Sequence, residues 1–316
     1  MNFRRFPRIP TKFWHGVAIF CFSVLAVVMS DVGAIAQEQG VENFEMPTID
    51  LSLDEESDSA GMVPEGLEVS FDPMAEGERA VVGADNRAVM TSAKYPWSAI
   101  GRLERLNSKG KVVSWCTGTL IGQKTILTNA HCVVNKKTHR LRRARYVFRP
   151  NLIRGESTDR ANAKVVDYGK RWSRGEQDED WAVMELDEPL GAYYGQLGWS
   201  NFKLKSRRVR NALRKRIFLA GYSRDFPDNV PGHRPGKTPG IHRNCSITGI
   251  RKDGRIMHNC DTNPGASGSA LIARLRSGKV VIVGIHNGWI RDKDGKPSTN
   301  VGTQVNRWAK AARAHQ

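Results

Sequence analysis

From about residue 81 to its end, this chain is a succession of short β-type runs separated by turn residues, and that pattern restricts the fold more than any other feature. Val112–Trp115, Thr119–Ile121, Thr125–Thr128, Ala182–Leu186, Ile217–Ala220 and Val280–Val283 are β-branched or apolar runs of strand length. Ser108-Lys109-Gly110 and Lys252-Asp253-Gly254 punctuate them as turns. Many short strands and few long amphipathic stretches predict an all-β barrel or sandwich. Only the end reads as helix, with Val305, Trp308, Ala309 and Ala312 on one face at helical spacing. The run Lys203–Arg216 holds eight bases in 14 residues and reads as a linker or charged loop between two halves, with a boundary near 200–215.

The start of the chain has a different character. Arg4, Arg5, Arg8 and Lys12 precede an apolar run from Val17 to Met29 and the small-residue site Ala34-Ile35-Ala36. That order is a secretory signal peptide over 1–36, and the run falls short of the ~20 residues that a spanning helix needs. Export to the periplasm or the medium follows as an expectation. Residues 37–80 carry 13 acids and the single base Arg79, which predicts a disordered acidic propeptide. The remainder, 81–316, carries a net charge of +26. Such a surface attracts anionic polymers, acidic proteins and, on this reading, the chain's own acidic segment.

Cys21 falls in the signal peptide, which leaves Cys116, Cys132, Cys245 and Cys260. An even number in an exported chain predicts two disulfides, and four cysteines allow three pairings. There is no CxxC pair to suggest zinc.

Acyl transfer by a serine needs a base, a carboxylate to orient it and donors for the oxyanion. Ser267 sits in Asn263-Pro264-Gly265-Ala266-Ser267-Gly268-Ser269, where small residues allow a tight turn with free amides, those of Gly265 and Ser267. His131 closes a β-run in Thr128-Asn129-Ala130-His131-Cys132. Asp180 stands at the mouth of the apolar strand that begins at Trp181, with Asp178 and Glu179 as local competitors.

Together these strings resemble the trypsin/chymotrypsin superfamily over essentially all of 81–316. Thr128–Cys132 is similar to its TAAHC motif, Asp180–Leu186 to DIALLKL and Gly265–Ser269 to GDSGG, in the order His, Asp, Ser. The resemblance implies two packed six-stranded antiparallel β-barrels and a His131–Asp180–Ser267 triad. It also implies an oxyanion hole of the Gly265 and Ser267 amides, and disulfides Cys116–Cys132 and Cys245–Cys260. Protein or peptide substrates follow, with a monomeric enzyme that requires no cofactor and no metal.

Within the superfamily the chain looks most like bacterial glutamyl endopeptidases, through Val81–Arg87, Cys260-Asp261-Thr262 and Gly284-Ile285-His286. Carried over, Thr262 and His286 line the specificity pocket, and Asn287, Gly288 and Trp289 bind substrate as an added strand. Cleavage after Glu or Asp is the resulting expectation. Asp261, six residues before Ser267, is the competing feature, because trypsin-like enzymes use an aspartate there to select Arg or Lys. A third reading keeps the scaffold without the catalysis, as a basic binding module. Ala266 departs from the aspartate that pairs with a new amino terminus in animal enzymes, so that activation switch is absent. Self-cleavage near Glu78 would suit an acidic preference.

Overall fold

The computed structural model describes residues 46–49, 58–74 and 85–316. The signal peptide and the processing point near Glu78 lie outside them. Six strands, Ile100–Leu106, Val112–Gly122, Thr125–Thr128, Arg145–Pro150, Ala161–Tyr168 and Ala182–Leu186, close into an antiparallel barrel. The two runs read separately at Val112–Trp115 and Thr119–Ile121 are one strand. Alternation fills the interior: in Arg145–Pro150, Tyr146, Phe148 and Pro150 turn inward while the residues between them are more exposed.

The second half is a curled sheet. It runs in the order Ile247–Ile250, Ile256–His258, Pro297–Gln304, Val280–Arg291, Ala270–Leu275, Ile217–Gly221, Gly240–Cys245, with Arg87–Val89 added at the last edge. Gly240–Cys245 and Ile247–Ile250 lie at opposite ends of this order yet are separated in sequence by Ser246 alone, so the sheet curls round on one continuous stretch of chain. Two buried clusters result. One is shared by barrel and sheet, with Trp97, Phe148, Trp199 and Trp308 in it; the other lies in the sheet around Leu213, Ile217, Leu271 and Val283. The helix Val305–Ala314 buries Val305, Trp308, Ala309, Ala311 and Ala312, the face its spacing predicts. The chain leaves the barrel at Leu186 and already pairs with the second sheet at Gly198–Trp199, so the crossing comes ahead of residues 200–215. The basic run that follows contains the helix Arg207–Ala212.

Disorder was the expectation for 37–80, and the described parts of that segment are ordered. Thr48–Ile49 pairs in parallel with Arg274–Leu275. Ser59, Met62 and Val69 form bridges to Trp199, Gln196 and Tyr95. The averaged composition hid the cause: apolar anchors stand among the acids. Met46 and Ile49 are fully buried, and Leu67, Phe71 and Met74 pack on the core. The acids then meet bases on the body, Glu68 with Lys94 at 2.8 Å and Asp58 with Arg313 at 3.6 Å. The guanidinium of Arg274 also stacks 3.8 Å from the Phe71 ring.

Polar sequence neighbours predict surface positions for His139, His233, His242 and His258, yet His242 and His258 are buried. Their strands turn them inward, which a polar neighbourhood in sequence cannot reveal. His139, by contrast, is exposed.

Candidate active site

His131 lies in a single helical turn, Ala130–Val133, directly after the barrel strand Thr125–Thr128. Cys132 beside it is bonded to Cys116 on the neighbouring strand, which ties this turn to the barrel wall. A loop of that length contributes about 3 kcal/mol when closed. The second bridge joins Cys245 and Cys260. Cys116, Cys132 and His131 are close enough to suggest metal ligands, but both sulfurs are committed to the disulfide and offer no thiolate.

Asp180 approaches from the turn just ahead of the neighbouring barrel strand Ala182–Leu186. One carboxylate oxygen accepts from the His131 amide at 2.9 Å, and the other lies 2.8 Å from Nδ1. Asp180 is buried while the imidazole stays partly open to the cleft. The competitors point elsewhere: Asp178 pairs with Arg307, and Glu179 with Arg171 and Arg307. Partial burial presses the His131 imidazolium down, but the charge of Asp180 and its hydrogen bond outweigh this and the weaker repulsion of Arg142, so the pKa is raised. The backbone of Asp180 is fixed as well. Its carbonyl accepts from Asn129 Nδ2 at 2.7 Å and from the Thr303 hydroxyl at 3.4 Å, and both residues also bond Asn287. Sequence reasoning missed Asn129 and Thr303; Asn129 stood within the quoted histidine motif.

Ser267 comes from the other half, on the turn before the strand Ala270–Leu275. Gly265 has φ +105° and could not carry a side chain, since a Cβ would sit 2.3 Å from the Tyr222 carbonyl oxygen. The amides of Ala266, Gly268 and Ser269 donate to Asn263, His286 and Ala266. Among the described residues those of Gly265 and Ser267 donate to nothing, as an anion site requires. Ser267 and His131 line one cleft of about 420 Å³. Trp115, Arg105, Arg142 and Arg224 line it too, four residues that sequence reasoning did not select. Asn287 and Trp289 border the same cleft, and Gly288 between them has open space on its Cβ side.

The predicted specificity residues separate into two groups. Asp261 and Thr262 line an adjoining pocket of about 440 Å³ that shares Trp289 with the cleft. The Asp261 carboxylate is 37% exposed and takes hydrogen bonds from the Asn86 side chain and amide at 2.8 and 3.0 Å. The nearby His242 imidazole and then Asn86, working against partial burial, hold its pKa down at about 2. Thr262 has a buried hydroxyl oxygen without a hydrogen-bond partner. His286 does not line either pocket. It is buried against His258, with Nδ1 3.1 Å from His258 Nε2. Burial and then the charge of neighbouring histidines push His258 down to about 3 and His286 well below its ordinary value. Cys260 donates its amide to His258 Nδ1 at 3.3 Å, so the neutral His258 carries its proton on Nε2 and gives it to His286 Nδ1. The proton of His286 itself therefore sits on Nε2.

A closed barrel and a curled sheet that face each other across a serine and a carboxylate-held imidazole are the arrangement of the two-barrel, chymotrypsin-like fold. Comparison with known proteins agrees. The family model described as Trypsin matches residues 88–312, and the chain belongs to that family. It is 27% identical over 225 residues to mouse (Mus musculus) Serine protease 23, covering 62% of this chain and 54% of that protein. It is also 25% identical over 202 residues to the Glutamyl endopeptidase of Bacillus licheniformis, covering 63% and 56%. The chain thus spans about half the length of the curated relatives it matches. A solved Glu endopeptidase in complex with MPD superposes with a TM-score of 0.55 at 23% identity, over 74% of this chain and 100% of that one. The protease Anisep of Arthrobacter nicotinovorans gives 0.52 at 17%, over 70% and 98%.

Proposed function

We propose that the chain is a serine endopeptidase with Ser267 as nucleophile, His131 as its base and Asp180 as the orienting carboxylate. The observation that carries this reading is the pairing of His131 with Asp180 in the cleft that Ser267 lines, beside two unengaged amides. Ser267 Oγ attacks the peptide carbonyl while His131 Nε2 takes its proton, and the Gly265 and Ser267 amides hold the oxyanion. His131 then gives that proton to the leaving amine, and water releases the acyl group by the same steps in reverse. Asn287–Trp289 receives the substrate backbone as an added strand. Export through residues 1–36 places the enzyme, acting as a monomer, in the periplasm or the medium.

For the side chain preceding the cut, the leading assignment is Glu or Asp. Its direct support is the partnerless Thr262 hydroxyl in the wall of the pocket that adjoins the cleft. His286, buried outside that pocket and held neutral, supplies neither a charge nor a direct contact, so the preference rests on the Thr262 hydroxyl. A second assignment, Arg or Lys, is favoured by the half-exposed Asp261 in the pocket with Thr262. Peptides that differ only in Glu or Arg before the cut distinguish them. The acidic assignment expects Thr262→Val to cost about 10- to 100-fold in kcat/KM on the Glu peptide, the worth of one hydrogen bond to a charge. Arg preference that Asp261→Asn abolishes would establish the second assignment instead. Absence of hydrolysis of either peptide would leave the idle binding scaffold.

A further inference from the structure

The cleft does not end at His131. Immediately after the histidine turn the chain forms a small hairpin, Val134–Asn135 against Arg140–Leu141, and returns with the Arg142 amide bonded to the Val133 carbonyl at 2.8 Å. The Asn135 side chain shapes its tip by accepting from the Lys137 and Thr138 amides. From Asn135 to Arg145 the sequence places six bases, Lys136, Lys137, Arg140, Arg142, Arg143 and Arg145, and no acid. Between this hairpin and the barrel strand that carries Arg105 lies a pocket of about 500 Å³, lined by Arg105, Arg140, Arg142 and Arg143 with Asn135 and Thr138.

Two of these arginines, Arg105 and Arg142, line the catalytic cleft as well, so cleft and pocket adjoin. Among the described residues none of the four pairs with a carboxylate, although other bases of this chain do. Arg105 is steadied by the Ser114 hydroxyl at 2.9 Å. Four guanidinia held together at one end of a cleft repel one another unless an anion joins them, and each offers a planar fork that fits a carboxylate. The position also fixes which part of a substrate reaches them. His131, on the barrel beside the hairpin, protonates the leaving amine, and Asn287–Trp289, on a strand of the second sheet, receives the acyl half. The chain leading away from the amine therefore passes toward the hairpin that follows His131.

We infer that this arginine pocket recognises acidic side chains located two to four residues beyond the scissile bond, and so selects protein substrates with an acidic stretch on the leaving-group side. This rests on the serine endopeptidase reading. It is independent of which residue precedes the cut.

Two internally quenched peptides test it, identical except for Asp-Glu-Asp or Asn-Gln-Asn at those positions, with the full chain as enzyme. The variant R140E/R143E changes only arginines that lie outside the catalytic cleft and, in the case of both, face solvent. The wild type is expected to favour the acidic peptide by about tenfold in kcat/KM at low salt, mainly through KM and with the preference fading as salt rises. The variant should lose that preference while its kcat/KM on the neutral peptide stays unchanged. Equal rates on the two peptides in the wild type would overturn the inference, as would a preference that survives R140E/R143E. Binding of heparin to the hairpin without any acidic-peptide preference would overturn it in favour of a sulfated polysaccharide. Should neither peptide be cut, fluorescence anisotropy of the labelled acidic peptide on Ser267→Ala separates the two proposals. Salt-sensitive binding that R140E/R143E removes would uphold the pocket while the endopeptidase reading fails, and no binding would end both.

Discussion

Among the described residues, His131 and the His258–His286 pair are driven in opposite directions by their surroundings. His131 faces the Asp180 carboxylate at 2.8 Å and is held above its ordinary pKa. His258 and His286 face each other at 3.1 Å in the second sheet and are held far below it. Burial presses down the partly open His131 as well as the fully buried His258 and His286, so burial alone does not set the direction. The partner does: an anion stabilises the imidazolium, whereas a second imidazole in an apolar setting can only accept or donate one neutral hydrogen bond. The first arrangement suits a group that must gain and lose a proton during turnover. The second suits a group that must keep one proton at one atom.

The largest way to break this contrast is to take the anion from His131. Asp180→Asn should lower kcat by about 10⁴-fold, with the fold retained, as the imidazole loses its enforced orientation. The remaining activity carries a second signature. In the wild type kcat/KM rises with pH as His131 loses its proton, through a midpoint above 6.5. Without the carboxylate only burial and the Arg142 charge act on the ring, both downward, so the midpoint should shift downward. An unmoved midpoint would mean that the titrating group is not His131.

A smaller effect is expected at the other pair. His258→Phe leaves Nδ1 of the buried His286 without its donor and should cost about 1 to 3 kcal/mol of stability near neutrality. Its pH dependence is more telling. Folded His258 stays neutral down to about 3, whereas the unfolded chain binds a proton near 6.5, so His258 removes stability as pH falls through that interval. The penalty of His258→Phe should therefore shrink on acidification, measured by urea unfolding between pH 7 and 4. A penalty that grows would show that His258 is charged in the folded state.

The site was more legible in the sequence than its setting. His131, Asp180 and Ser267 each stand in a local string that the backbone imposes: a strand end, a strand mouth and a small-residue turn. The strands around them follow directly from β-branched runs, and the helix Val305–Ala314 from its spacing. Relations between distant segments were not legible. The burial of His242 and His258 depends on which way curled strands face, and the four arginines of the hairpin pocket meet only once the barrel has closed. The acidic segment shows the same limit: its mean composition predicts disorder, yet Met46 and Ile49 are buried where Thr48–Ile49 pairs with Arg274–Leu275 at the end of a sheet strand, 226 residues away along the chain. Local chemistry is read from local sequence, whereas a docking edge exists only in three dimensions.

In the proposed mechanism one hydroxyl, that of Ser267, is activated by the carboxylate-held imidazole. Incubation of the chain with a fluorophosphonate, followed by peptide mass mapping, tests it most directly. A single adduct on Ser267, absent in both Ser267→Ala and His131→Ala, is the expected result. No adduct in the wild type, or one that persists undiminished when His131 is replaced, would contradict it.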